Sequence, residues 1–191
     1  MANFIIPQDD STGNSFHSVA RALVETGIPL LRCCPGLKTP RKDAEGTWDT
    51  CNDPGKLDGW LQHGDNLAIL LGQQKNSPVL AVGLDAYKDT SIIDFAKGLG
   101  VTTKTNVWAQ KTGRGGFTII YYAPDIILKR NTLEKDSAID LLVNGYTLIP
   151  PSNTSKEPQG GGPYTWLPGR SPLDIPLAEL DEPPKDLLLW W

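Results

Sequence analysis

The stretch Asp140–Ser152, DLLVNGYTLIPPS, constrains this chain more than any other. Its apolar residues read as one buried strand, Ile139–Ile149. Proline cannot donate to a sheet ladder, so Pro150-Pro151-Ser152 reads as a rigid turn at the strand's exit. A carboxylate entering a buried strand is costly unless it meets a cation or hydrogen-bond donors. Asp140 is therefore a candidate metal ligand.

The rest of the chain supplies partners for such a strand. Asn66–Gly72 and Val79–Asp85 are near-continuous apolar strands separated by a polar turn. Thr105–Lys111 and Phe117–Tyr122 flank the turn Thr112–Gly116, the second being rich in β-branched and aromatic residues. Ile28–Cys34 and Tyr164–Leu167 are shorter strand candidates. Phe16, Val19, Ala20, Leu23 and Val24 fall at helical spacing, with Asn14 or Ser15 to cap and Gly27 to end the helix. Asp53-Pro54 predicts a second helix start, with Leu57, Trp60 and Leu61 on its buried face. Ile92, Ile93, Phe95 and Ala96 suggest a third helix ending near Gly98. Residues 125–136 read as a polar excursion, and 177–191 as a proline-broken amphipathic tail. The expected fold is α+β, with a mixed, mostly antiparallel sheet flanked by helices. Residues 1–13 read as a flexible arm and 14–191 as one domain.

Composition narrows the function. The 191 residues carry 39% hydrophobic and 21% charged side chains, ordinary values for a globular protein. No apolar run reaches the roughly 18 residues needed to span a membrane, and the N-terminus has no basic-then-apolar leader. The expectation is a cytoplasmic protein with no membrane partner. Three cysteines, Cys33, Cys34 and Cys51, argue against a disulfide framework and read as buried free thiols. A net charge of −4 argues against a strongly basic nucleic-acid binder but leaves room for a local basic groove. Lys104, Lys111 and Arg114 form one candidate cluster; Lys38, Arg41 and Lys42 form another.

Three features carry possible chemistry. Asp85 stands at the exit of an apolar strand. Thr112-Gly113-Arg114-Gly115-Gly116 can bring backbone N–H groups and a guanidinium to an anion. Asp140 is the third. Two acids beside a basic, glycine-rich turn suit metal-assisted handling of phosphates. Each also has a plainer account: a tight hairpin turn, a strand-end acid, and an acid paired with a lysine. Tyr164 and Trp166 fit either a hydrophobic core or a base-stacking platform.

The order of these motifs resembles the primase–polymerase (prim-pol) domain of the archaeo-eukaryotic primase superfamily, common in phages and mobile elements. The resemblance runs from about Phe16 to Leu189. It includes Lys38-Thr39-Pro40; Thr50, Asp53 and Trp60; Asn66-Leu67-Ala68-Ile69 running to Gly72; the acid-bearing strand; and TGRGG with its aromatic strand. GYTLIPPS and Tyr164-Thr165-Trp166 are its most specific parts. The resemblance implies template-directed nucleotidyl transfer with Mg²⁺ or Mn²⁺ held by Asp85 and Asp140. It implies nucleotide phosphates near Lys111, Arg114, Gly115, Gly116, Thr118 and Ser152. Single-stranded DNA would meet Lys38, Lys104, Tyr164 and Trp166. It also implies a helicase or other replication domain as partner, with the chain ending before it.

Two positions depart from the family. Its acid strand ends in Asp-x-Asp or Asp-x-Glu, whereas here Asp85 stands alone. Either Tyr87 has replaced the second acid, or Gly83 has replaced the first, or a short deletion follows Asp85; Asp89 is too distant to substitute. A histidine expected two residues after the paired glycines is Thr118. The expectations are therefore a primase/polymerase with weakened activity, a catalytically inactive module that binds single-stranded nucleic acid or nucleotide, or an unrelated α+β interaction protein.

Overall fold

Val143 and Asn144 interrupt the strand predicted over 139–149. In the computed structural model, which describes residues 12–72, 76–126 and 138–191, this segment is two strands, β7 (Ile139–Leu142) and β8 (Gly145–Ile149). They belong to different sheets. Gly145 has φ 108°, a conformation costly for any residue with a Cβ. Gly72, at φ 81°, lies so close beneath the crossover that an added Cβ would fall on the Val143 carbonyl oxygen. A single strand is thus replaced by a bend that ties the two sheets together.

Sheet one has the order β2-β1-β3-β8, from Thr50–Cys51, Leu30–Cys33 and Asn66–Leu71 to β8. Helices α1 (Thr12–Glu25) and α2 (Pro54–Gln62) cover one face through Ala20, Leu23, Leu57 and Trp60, against Leu30, Leu67 and Ile69. The predicted start of α2 holds: the Gly55 N–H donates to Asp53 Oδ1 at 2.9 Å, an N-cap bond. Helix α1 begins at Thr12, two residues earlier than the domain start read from sequence. The predicted arm up to residue 11, residues 127–136 of the polar excursion, and the Phe16 and Leu61 side chains lie outside the described residues.

Sheet two has the order β7-β4-β6-β5-β9, with β4 Val79–Leu84, β6 Phe117–Tyr122, β5 Trp108–Lys111 and β9 Thr165–Trp166. Every strand pairing described is antiparallel, and there are two sheets rather than one, so the α+β expectation stands in a more regular form. Helices α3 (Ile92–Gly98) and α4 (Lys185–Trp190) pack Ala96 and Leu187 against Leu80, Val82, Ile119 and Leu141 on one face. The tail is anchored there: Leu187 is fully buried and Trp190 meets Phe95 edge-on at 5.2 Å. Among the described residues no helix is long and apolar enough to cross a membrane.

Strand periodicity of two makes the other face of sheet two change character along its length. Leu142, Ala81, Ile120 and Trp108 are paired neighbours in one apolar row. One pleat further lies a row of Asp140, Gly83, Thr118, Gln110 and Trp166. The apolar row joins the core shared with sheet one, and the acid end of the polar row opens into a cleft. Gln110, fully buried, donates from Nε2 to the Leu148 carbonyl at 2.6 Å and so bridges the sheets.

Candidate functional site

The cleft is a pocket of about 200 Å³ lined by residues of both sheets. Asp85, Asp140, Arg114, Thr118, Tyr164 and Lys38 all line it, as do Tyr87, Tyr146 and Gly83. Six side chains singled out in the sequence therefore converge, although they lie up to 126 residues apart.

Strand β4 delivers the first acid. Val79, Ala81, Gly83 and Asp85 alternate onto one face, running from core to cleft. Beyond β4 the chain turns back on itself, the N–H of Lys88 donating to the Asp85 carbonyl at 2.8 Å. The turn returns Lys88 to the acid, with Nζ 2.8 Å from Asp85 Oδ2. Tyr87 donates its hydroxyl to the same oxygen at 3.0 Å. The Arg114 guanidinium lies 4.1 Å from the centre of the Tyr87 ring, a cation–π stack. The Lys88 ammonium is held above its usual lysine range by its bond to Asp85, against burial and with help from the charge of Asp140. Burial, then the Asp85 bond, pushes the Tyr87 phenol up.

The TGRGG turn is a hairpin, and its glycines serve close packing. A Cβ on Gly116 would meet the Leu84 carbonyl oxygen at 2.5 Å, and one on Gly113 the Gly162 carbonyl oxygen at 2.3 Å. The turn is thereby wedged between β4 and the 153–163 loop. The N–H groups of Thr112 and Gly115 are used within the turn, donating to Gly116 and Thr112 carbonyls. Arg114 projects from it and also reaches Gln159 at 3.4 Å.

Lys38 rides on the 34–49 loop, which a buried ion cluster secures. Asp65, its side chain fully buried, pairs with Arg32 at 2.5 Å and Arg41 at 2.7 Å. Arg41, a member of the second basic cluster in the sequence, is therefore committed to the fold. The Tyr146 hydroxyl donates to the Lys38 carbonyl at 3.0 Å, and Tyr146 meets Trp48 edge-on at 5.4 Å.

Other predicted residues stand elsewhere. Ser152 is buried, exchanging 2.9 Å hydrogen bonds with the N–H and carbonyl of Leu67. Next to it, Asn66 accepts from the Asn153 N–H and donates to the Leu37 and Asn153 carbonyls. Lys111 is exposed at the end of β5, outside the pocket lining. Lys104 lines a separate, apolar pocket beside α3. Trp166 packs on the core. Gly115 and Gly116 shape the turn rather than line the pocket. Asp89 is exposed and accepts from the Ser91 N–H. Lys88 and Tyr146 were missed in the sequence; an acid three residues before a lysine, and a tyrosine after a strand-breaking glycine, were the available signals.

The register bears on the acid pair. Gly83, on β4, is paired with both Asp140 and Thr118, while Tyr87 lies past the strand and is 38% exposed. The place adjacent to Asp140 is therefore the one that lacks a side chain. Two-ion transfer needs carboxylates shared by ions about 3.5–4 Å apart. Here position 83 offers no donor, Thr118 stands in the histidine's place, and Asp85 Oδ2 is engaged by Lys88 and Tyr87. Among the described residues no group of three or more His, Cys, Asp or Glu is placed to hold a metal. This donor set does not fit a two-ion centre.

The fold is antiparallel α+β, with one acid just past β4 and another on β7 beside a cationic hairpin, in keeping with a primase/polymerase-type domain. The chain belongs to the bifunctional DNA primase/polymerase, N-terminal (Prim-Pol) family, which matches residues 20–185. It is thus a DNA-replication type of domain, and DNA and nucleotides are its family's substrates in general. No curated protein matches the chain.

Proposed function

We propose that this domain binds a nucleoside triphosphate and single-stranded DNA in the cleft, with template-directed nucleotidyl transfer weak or lost. The observation that carries this reading is Gly83 standing between Asp140 and Thr118 where a further donor would be needed. Mg²⁺ or Mn²⁺ shared by Asp85 and Asp140, as the resemblance implies, would compete with Lys88 for Asp85 Oδ2. The remaining residues suit binding. Arg114 offers a fork for phosphate oxygens, Lys38 adds charge, and Tyr146 and the largely buried Tyr164 line the cleft. Aromatic faces and a cationic groove suit single strands without base preference. A helicase or other replication partner, a cytoplasmic setting and a phage or mobile-element source belong to the same reading and rest on the family alone.

The test pairs binding with synthesis. Fluorescence anisotropy should show single-stranded DNA binding that weakens steeply with salt. Incorporation of labelled nucleotide on the same template with Mn²⁺ should be slight and should vanish in Asp85→Ala. Rapid synthesis sensitive to Asp85→Ala would restore the full polymerase. Absence of both DNA and nucleotide binding would overturn the reading.

A further inference from the structure

Two cations, Lys38 and Arg114, line the cleft with the carboxylates Asp85 and Asp140, and a third, Lys88, reaches Asp85 from outside the lining. Two of the cations are fixed relative to the acids. Lys88 is brought back by the turn that starts at Asp85, and its 2.8 Å bond shares Asp85 Oδ2 with the Tyr87 hydroxyl. Arg114 stacks on the ring of the same tyrosine, 4.1 Å from its centre. The chain Lys88–Asp85–Tyr87–Arg114 therefore joins the acid strand to the hairpin turn with no external ion.

We propose that Lys88 is the cation of this acid site, and that the cleft takes a phosphate-bearing ligand through Arg114 and Lys38 without a divalent metal. A phosphate approaching two carboxylates is repelled, which a bound metal ordinarily overcomes. Lys88 lessens that repulsion from within the chain. The Tyr87 ring holds Arg114 at the cleft, so the guanidinium is pre-placed for the ligand and little ordering is lost on binding. Lys88 also engages Asp85 Oδ2, so a divalent ion drawing on that oxygen competes with the lysine. This inference rests on the nucleotide-binding reading above and says how that binding is achieved.

The experiment uses the whole chain with dATP as probe and isothermal calorimetry as readout. Wild type should bind dATP about as well in EDTA as in Mn²⁺. Lys88→Met should lose about tenfold or more in EDTA, the scale of one charge-assisted contact. Lys88→Arg should keep wild-type binding. Electron paramagnetic resonance should show weak Mn²⁺ binding to wild type, stronger binding to Lys88→Met, and loss of that gain in Lys88→Met with Asp85→Asn. Binding of dATP by wild type only when Mn²⁺ is present would overturn the proposal and leave the functional reading intact. Equal Mn²⁺ binding by wild type and Lys88→Met would overturn the role of Lys88. Binding of dATP in neither buffer would overturn the functional reading and the ligand half of this proposal, while the Mn²⁺ comparison would still decide what Lys88 does.

Discussion

Gly83 on β4 stands directly opposite Asp140 on β7, and a Cβ placed on Gly83 would lie 3.7 Å from the Asp140 Cβ, an ordinary contact. The backbone thus leaves room for a side chain where the site lacks a donor. Thr118 flanks the same glycine from β6.

Gly83→Asp should therefore fold and create a three-carboxylate site. Without metal, the like charges placed opposite one another should lower stability by up to about 1 kcal/mol. Mn²⁺ should raise the melting temperature of the variant more than that of wild type, because it binds only the folded cluster. Equal Mn²⁺ shifts in thermal melts would show that position 83 does not reach a metal site.

Ser152→Ala tests whether the Pro-Pro-Ser turn is structural. The change leaves the Leu67 N–H and carbonyl without the hydroxyl they share, at a cost of about 1–3 kcal/mol in urea unfolding. Affinity for dATP should be unchanged under conditions where the variant is folded. Unchanged stability with reduced affinity would instead place Ser152 on the ligand.

Gly116→Ala should push the hairpin away from the end of β4, since the new methyl meets the Leu84 carbonyl oxygen at 2.5 Å. Overpacking of this kind costs about 1–3 kcal/mol. The displaced turn carries Arg114 off the Tyr87 ring, so dATP affinity should fall as well. Gly115→Ala serves as the comparison: its added Cβ meets nothing within 4 Å but is strained by a φ of 88°. It should cost stability with a smaller effect on affinity.

Alkali should weaken the fold through buried neutral groups. The Cys33 thiol is pushed up from 9.0 to about 12 by burial, then by the charges of Cys34 and Asp65. Burial first also pushes the Tyr121 and Tyr164 phenols from 10.0 to about 12. The unfolded chain releases these protons first. The stabilisation is therefore complete below about pH 9 and is lost as pH rises towards 12. Urea midpoints should be level through neutrality and fall above about pH 9; a flat profile to pH 11 would contradict the assignment.

Local signals were legible where neighbours in the chain decide the outcome. The Asp53-Pro54 cap, the apolar run of β4 and the branched, aromatic run of β6 each formed the predicted element, within two residues. The 139–149 segment did not, and its break lies where Gly72, just past the end of β3, approaches Val143. Periodicity alone carries no trace of that contact. In the site, Asp85, Asp140, Arg114, Thr118, Tyr164 and Lys38 stand out in the sequence and do converge. Ser152, Lys104, Lys111 and Trp166 stand out on the same grounds and point elsewhere. Residue type suggested the chemistry, but the face and register of each strand chose the residues.

By itself the sequence determined the α+β class, most elements, the family resemblance and the incompleteness of the acid set. The first two follow from residue type and spacing along the chain, and the last is what the resemblance implies. Only the tertiary structure decided that Gly83, rather than Tyr87, adjoins Asp140, and that Lys88 folds back onto Asp85 beneath the Tyr87–Arg114 stack. Cross-strand register and turn direction fix which side chains face one another. Both are set by packing between segments far apart in the chain.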